Sequence, residues 1–496
     1  MRQRQPQHQQ WRRRRGRAFA ALCIGVATAL VASACGSAVP PAEYARANSL
    51  LYGGQAALAQ SGAPAAEQAA AAATAGAIGP SGSAGLPGRS GSAAVGGSAG
   101  TSAVGGASSG GNAVAGVHAG SCAGFANATG ISNSSIKIAN ASDVSGPISG
   151  LFQSAEQATT AYAAYFNSTS TICGRKLSVE TLDSQTSDEG DQQAATTACG
   201  NAFAMVGSTS AADNGGAATV TNCGIPDLRA LSTTPQRYSA PVSFGTDSIN
   251  PNVVSTEPWR FVKAATGNAY QKAGIIYLDQ ATVITNAKAD KATAASLGYN
   301  FVYDSSVAVA TFNYAPFVSR MASLGVSFVE YVGAYQYAVR LQQAMNQQGF
   351  HPVFLMDSVA YDPGYVASVG SVGYGTWAFT DTALFEESGR NPEMQTYVAW
   401  LHRTYPSAVP SFFGLFAWAA AKLFTQLAVQ LGGKLNRQSL LAAIRGVRSY
   451  DGNGLFAKQN VGGKQTANCD AVIQLEQGGW QRRSPYPFVC STLFSS

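Results

Sequence analysis

From residue 136 to residue 333 the chain alternates short, β-branched apolar runs with longer stretches of helical spacing, and this alternation restricts the fold more than any other feature. Strands are expected at 136–141 (IKIANA), 177–183 (LSVETLD), 202–207 (AFAMVG), 225–231 (IPDLRAL), 273–279 (AGIIYLD), 301–307 (FVYDSSV) and 327–333 (SFVEYVG). Helices are expected at 151–166 and near 189–201, 211–220, 287–297 and 314–324. Strands joined through helices run parallel and are covered on both faces, so the pattern predicts an α/β fold of doubly wound, Rossmann-like sheets. The stretch from about residue 130 to the end is too long for one simple core and long enough for two lobes. Residues 410–433 (PSFFGLFAWAAAKLFTQLAVQLGG) are apolar on every face and read as a buried packing helix. Strand-like patches at 471–475 and Trp480 suggest a closing hairpin.

The chain begins differently. Seven arginines stand within residues 1–17 with no acid among them, and an apolar run fills 18–32 (AFAALCIGVATALVA). That is a signal peptide's profile, and the run falls short of the roughly 20 residues of a spanning helix. It ends in Ala32-Ser33-Ala34-Cys35, which resembles a bacterial lipobox, although Ala32 stands where Leu is usual. Cleavage before Cys35 would leave its thiol to carry a lipid. An ordinary secretory signal with an incidental Cys35 is the competing reading, and Cys23 is a poorer site because Leu22 precedes it. Residues 35–121 are nearly all Ala, Gly and Ser, a composition unable to offset its ordering entropy. They read as a tether whose Gly/Ser half, about 40 residues, would span roughly 35 Å as a coil.

Setting aside residues 1–34 also changes the electrostatics. The formal charge of +6 loses seven arginines and becomes −1, so the folded part has no basic excess for nucleic acid. Of eight cysteines, six remain beyond Cys35: Cys122, Cys173, Cys199, Cys223, Cys469 and Cys490. An even number in an exported chain suggests disulfides, with neighbours joined in order as the preferred pairing and free buried thiols as the alternative. Neither the cysteines nor the four scattered histidines have zinc-site spacing, so no metal or other cofactor is expected.

In open α/β sheets ligands bind beyond the carboxyl ends of strands, beside helix N-termini. Ser208, Thr209 and Ser210 follow one expected strand, and Ser232 and Thr233 follow the next. Their hydroxyls and nearby N–H groups suit an anion such as a carboxylate. They also suit plain N-capping. Phe152 enters the first helix beyond a Gly-Pro turn and either covers the same mouth or packs the helix. In the second half Tyr335 and Asp357 stand at strand ends, where they could hydrogen-bond a ligand or pair with an ammonium. Both could equally be solvated loop residues. Outside the Gly/Ser-rich tether the chain shows no Gly-x-Ser-x-Gly elbow, and it has no phosphate loop or clustered histidine, so it is not expected to be an enzyme.

At these residues the chain resembles the type I periplasmic binding-protein superfamily, specifically the ABC-importer lipoproteins related to leucine/isoleucine/valine-binding proteins. The likeness rests on IKIANASDVSGPISGLF, on Cys173-Gly174-Arg175-Lys176-Leu177 and the LDSQT that follows, and on AFAMVGSTSA, IPDLRALSTTP, the Gly-Ala-Tyr ending in Tyr335, and SVAYDPGYV. The resemblance implies two lobes joined by three crossovers, with lobe 1 at 122–255 and about 379–445 and lobe 2 at 256–378 and about 446–496. It implies a receptor outside the cell membrane, anchored by lipid, that traps a small polar solute and hands it to a membrane permease. In the family a ligand carboxylate is held at the positions of Ser208–Ser210 and Ser232–Thr233, and its ammonium by an acid near Asp357 or Ser358. A tyrosine common after Asp279 is replaced by the apolar stretch around Val283 and Ile284, which leaves an amino acid, an amide or a related carboxylate open as ligand. A ligand sensor or envelope interaction protein without transport is the alternative on the same fold.

Overall fold

The computed structural model describes residues 117–250 and 252–495. The expected signal peptide, Cys35 and the tether up to residue 116 lie outside the described residues. The described chain joins the fold just before Cys122: the Gly120 N–H donates to the Val429 carbonyl at 3.0 Å, and the Gly433 N–H donates to the Ser121 carbonyl at 2.7 Å.

The first sheet contains β1 (Ser135–Ser142), β2 (Lys176–Asp183), β3 (Ala204–Val206), β4 (Asp227–Leu231) and β5 (Ser243–Asp247). All pair in parallel, in the order β2-β1-β3-β4-β5. Every residue of β3, β4 and β5 is buried, as expected where helices cover both faces. After β3 the chain turns at Gly207, whose φ of +68° and close approach to the Thr159 hydroxyl and Ala417 leave no room for a Cβ.

β6 (Val253–Ser255) leads out of this sheet and pairs with β15 (Leu493–Ser495) at the far end of the chain. The second sheet is built from β7 (Ala273–Leu278), β8 (Phe301–Val307), β9 (Phe328–Val332), β10 (Val353–Met356) and β11 (Trp377–Thr380), parallel in the order β8-β7-β9-β10-β11. β12 (Cys469–Glu476) adds antiparallel to β11, and β13 (Gly479–Arg482) and β14 (Val489–Cys490) pair with β12. The closing hairpin expected at 471–475 and Trp480 is therefore the β12–β13 edge.

Between β11 and β12 the chain returns to the first lobe. The helices Pro392–Thr404 and Phe412–Leu431 pack on the helix Gln153–Thr169. The helix Phe412–Leu431 begins at Ser411, whose hydroxyl accepts the Gly414 N–H, and nearly all of its side chains are buried. With residues 432–434 it is long and apolar enough to cross a membrane, but 89% of its most apolar window is buried in the fold, so its hydrophobicity belongs to the core.

We place the three crossings beginning at 248–250, at 381–384 and at 465–468. The expected boundary near 379 falls inside β11, which is part of the second sheet. The one near 446 precedes a segment that stays on the first lobe. There the Tyr450 hydroxyl donates to the Ala419 carbonyl at 2.8 Å, and the Lys464 ammonium donates to the carbonyls of Tyr238 and Ala240. Disulfides join Cys122–Cys173, Cys199–Cys223 and Cys469–Cys490. The last of these links facing residues of β12 and β14.

One buried charge network braces the mouth of the first sheet. Arg229 and Arg237, both fully buried, contact Asp191, Asp213 and Asp227. Five charges can stay in a core only when paired and hydrogen-bonded. Their effect here is to hold Asp213 beneath the loop after β4.

Candidate ligand site between the two lobes

A cavity of about 280 Å³ lies between the lobes, with a mostly apolar wall. The first lobe contributes Ile148, Leu151 and Phe152 beyond β1, Thr233 beyond β4, and Phe412 and Phe413 from the first turn of the long buried helix. Phe152 meets Phe413 edge to face, with ring centroids 4.6 Å apart. The second lobe contributes Val283, Asn286, Ala289 and Asp290 from the helix Ala281–Ser296, Val332–Gly333–Ala334 beyond β9, and Asp357, Ser358 and Val359 beyond β10. Gly333 has a φ of +136°, and a Cβ there would press on Leu278 and the Tyr331 hydroxyl, so only glycine makes this bend. Around the crossings the cavity is closed by Asp247 at the end of β5, Val254 and Ser255 of β6, Phe379 of β11, Asp381 just after it, and Asp470 of β12.

The carboxylates form two groups. Asp247, Asp381 and Asp470 meet at the crossings. Burial, followed by the charges of Asp381 and Asp470, raises Asp247 well above the usual carboxylate range. Burial lifts Asp381 and Asp470 to about 7. Asp381 accepts a hydrogen bond of 2.6 Å from the Gln459 amide, whereas Oδ2 of Asp470 has no partner. On the second lobe Asp290 is raised by burial and then by Glu330 and Asp357. Glu330, behind the cavity wall, is lifted by burial to about 8 while it accepts a bond from the Trp259 indole. Asp357 is lifted by burial to about 6. No Lys, Arg or His lines the cavity among the described residues.

The sequence model of a family described as periplasmic binding protein matches residues 135–479. The chain belongs to that family. Its fold is shared with solved structures of low sequence identity. A fatty acid ABC transporter substrate-binding protein from Thermomonospora curvata is 17% identical, with a TM-score of 0.63 over 74% of this chain and 95% of that one. A branched-chain amino acid transporter substrate-binding protein from Streptococcus pneumoniae, solved with isoleucine, is 14% identical, with a TM-score of 0.60 over 72% and 100%. A solute-binding protein from R. palustris, solved with benzoate, is 17% identical, with a TM-score of 0.58 over 72% and 98%. No protein with a curated description matched the chain.

In this binding protein, four of the ligand-site candidates named from the sequence line the cavity: Phe152, Thr233, Asp357 and Ser358. Thr233 is already engaged, since its hydroxyl donates to the Ser210 carbonyl at 2.6 Å and its N–H to Asp213 at 2.8 Å. Asp357 accepts the Val359 N–H at 3.0 Å and so caps the short helix Ser358–Tyr361. Ser208, Thr209 and Ser210 are buried behind the wall. The Ser208 hydroxyl accepts the Ala141 N–H, that of Ser210 accepts the Ala212 N–H, and that of Thr209 has no partner. Ser232 borders a smaller neighbouring pocket with Tyr238, Phe244 and Lys464. Tyr335 starts the helix Tyr335–Gln347 away from the cavity and packs against Tyr365.

The sequence reading passed over Asp247, Asp290, Asp381 and Asp470. Asp247 ends a strand that the alternation missed, because SFGTD carries no run of branched residues. Asp290 is one acid inside an Ala-rich helix, and only tertiary packing turns it inward. Phe412 and Phe413 read as ordinary core.

Proposed function

We propose that this protein is an extracytoplasmic receptor that traps a small solute between its lobes and delivers it to an ABC importer, held at the outer face of the membrane by a lipid on Cys35. The observation that carries the reading is the cavity itself. It is walled by both lobes and the crossings between them, so that seating a ligand and bringing the lobes together are one event. A ligand that contacts both lobes stabilises the closed arrangement and so reports its presence as a change of shape. The volume of about 280 Å³ falls just below the range of about 300–1,000 Å³ typical of ligand pockets, which fits a compact metabolite. The alanine-, glycine- and serine-rich segment after Cys35 would let the receptor range near its permease.

The test is a thermal-shift screen of the full-length chain against amino acids, amides, amines and organic acids, followed by uptake measurements in a strain lacking the gene. A bound solute raises Tm by mass action, and the same solute fails to enter the deletion strain until the full chain is restored. Silence across every class would sink the receptor reading. Binding without any uptake defect would move the protein to ligand sensing. Labelled palmitate entering the protein, but not a Cys35→Ala variant, is the expected result for the anchor.

A further inference from the structure

We infer that the solute is an apolar molecule with an ammonium head and no free carboxylate, seated with that head against Asp470, Asp381 and Asp247 where the chain crosses between lobes. This rests on the receptor reading and names the class of solute for that site.

The first support is an unmet hydrogen-bond acceptor. Asp470 is 6% exposed and lines the cavity from β12, and its Oδ2 has no hydrogen-bond partner. A buried carboxylate oxygen without a donor is costly, so an incoming N–H or a positive head is favoured there. The second support is the lack of any countercharge in the wall. Lys464, a basic side chain of the adjoining small pocket, spends its ammonium on the Tyr238 and Ala240 carbonyls at 2.8 and 2.7 Å. An organic cation would supply the missing charge. A metal ion would not suit the site, since no group of three or more His, Cys, Asp or Glu among the described residues is arranged to hold one.

The third support is that the chain's own acids occupy the places a ligand carboxylate would need. Asp213 accepts the Thr233 N–H at 2.8 Å, the Thr234 N–H at 3.0 Å and the Thr234 hydroxyl at 2.5 Å. Asp143 accepts the Ala211 N–H at 2.8 Å and the Thr186 N–H at 3.0 Å. A ligand carboxylate would find those donors spent and three acids facing it. An apolar body, by contrast, finds Phe152, Phe412, Phe413 and Phe379.

The groups facing the head site also imply a pH dependence. Glu257 adds negative charge beside Asp470, the neutral Gln459 amide binds Asp381, and Lys464 is engaged elsewhere. With Asp381 and Asp470 held up at about 7, a bound ammonium displaces a proton, so affinity rises as the pH climbs through neutrality.

Isoamylamine, leucinamide, leucine and isocaproate share one branched apolar body and differ in the head. Titrated calorimetrically into the full-length chain near neutral pH, isoamylamine and leucinamide should bind, leucine more weakly, and isocaproate not at all. Asp470→Asn keeps the side-chain shape and removes a crowded charge, so it should fold. It should lower isoamylamine affinity about ten- to hundredfold and flatten its rise with pH. Isocaproate or leucine binding more tightly than the two carboxylate-free amines would overturn the inference and leave the receptor standing. If none of the four binds, the charge of whichever solute the wider screen finds decides it: a cation without a carboxylate supports the inference, and any other solute overturns it. A screen with no hit at all removes both readings.

Discussion

The Thr282 hydroxyl donates a 2.8 Å hydrogen bond to the Ala211 carbonyl, tying the first turn of a second-lobe helix to the first-lobe loop beyond β3. Both residues also line the cavity, so this link between the lobes lies at its wall. Thr282→Val preserves the branched shape and deletes the donor. We expect a loss of about 0.5–1.5 kcal/mol from the closed form, seen as faster ligand dissociation in stopped-flow measurements with little change in association. An unchanged dissociation rate would show that the link does not contribute to closure.

Stability should fall as pH rises across the acidic and neutral range. Asp381 and Asp470 are raised from 3.8 to about 7, and Glu330 from 4.5 to about 8, with burial the main cause. Between the unfolded and folded values the native protein holds protons that the unfolded chain has already released. Unfolding is therefore easier at each step up in pH through that window. Urea titrations from about pH 4 to about pH 8 should show this trend, and Asp470→Asn should reduce it. A Tm that climbs steadily over the window would contradict the buried-acid picture.

Asp213 is required by two things at once, the Arg229 guanidinium and the N–H groups of Thr233 and Thr234. Asp213→Ala leaves a buried arginine short of a partner and those donors unmet. The expected cost is about 3–5 kcal/mol in urea unfolding, far above a typical surface substitution. A loss under about 1 kcal/mol would mean that Asp191 and Asp227 can balance both arginines alone.

Phe152 and Phe413 come from segments far apart in the chain and meet edge to face at the cavity wall. A double-mutant cycle with leucine at each position should return a coupling of about 0.5–1.5 kcal/mol in stability. Ligand affinity should fall in both single variants, since each ring also forms part of the wall. Strict additivity would make the two rings independent.

The strands at 136–141 and 177–183 are legible because Ile136 and Ile138 put branched side chains in the buried strand β1 and Val179 does so, half-buried, on the edge strand β2. The strand Ser243–Asp247 escaped because Gly245 and two hydroxyl residues hide its β character, although every position is buried. The hydroxyl clusters were visible as strand-end chemistry, but their partners were not. Nothing in the local sequence says that the Thr233 N–H meets Asp213, twenty positions earlier, instead of a ligand. The long helix was read as core from its all-round apolarity, and it is core. Its first two rings also reach the ligand cavity, which periodicity has no means of reporting.

What the sequence alone determined about this protein is the order of its parts: a basic, then apolar start that reads as an export signal with a candidate lipid site, a low-complexity stretch, alternating strands and helices enough for two lobes, and six cysteines to pair. These follow from composition and from periods of two and 3.6 residues, which are local properties of the chain. The tertiary structure alone decided the character of the cavity. It brought together Asp247 from the end of β5, Asp381 from the crossing after β11 and Asp470 from the start of β12, and turned Asp290 and Asp357 toward the same space. Charges hundreds of residues apart acquire a common field only when the fold sets them side by side and takes the water away, because burial makes them feel one another.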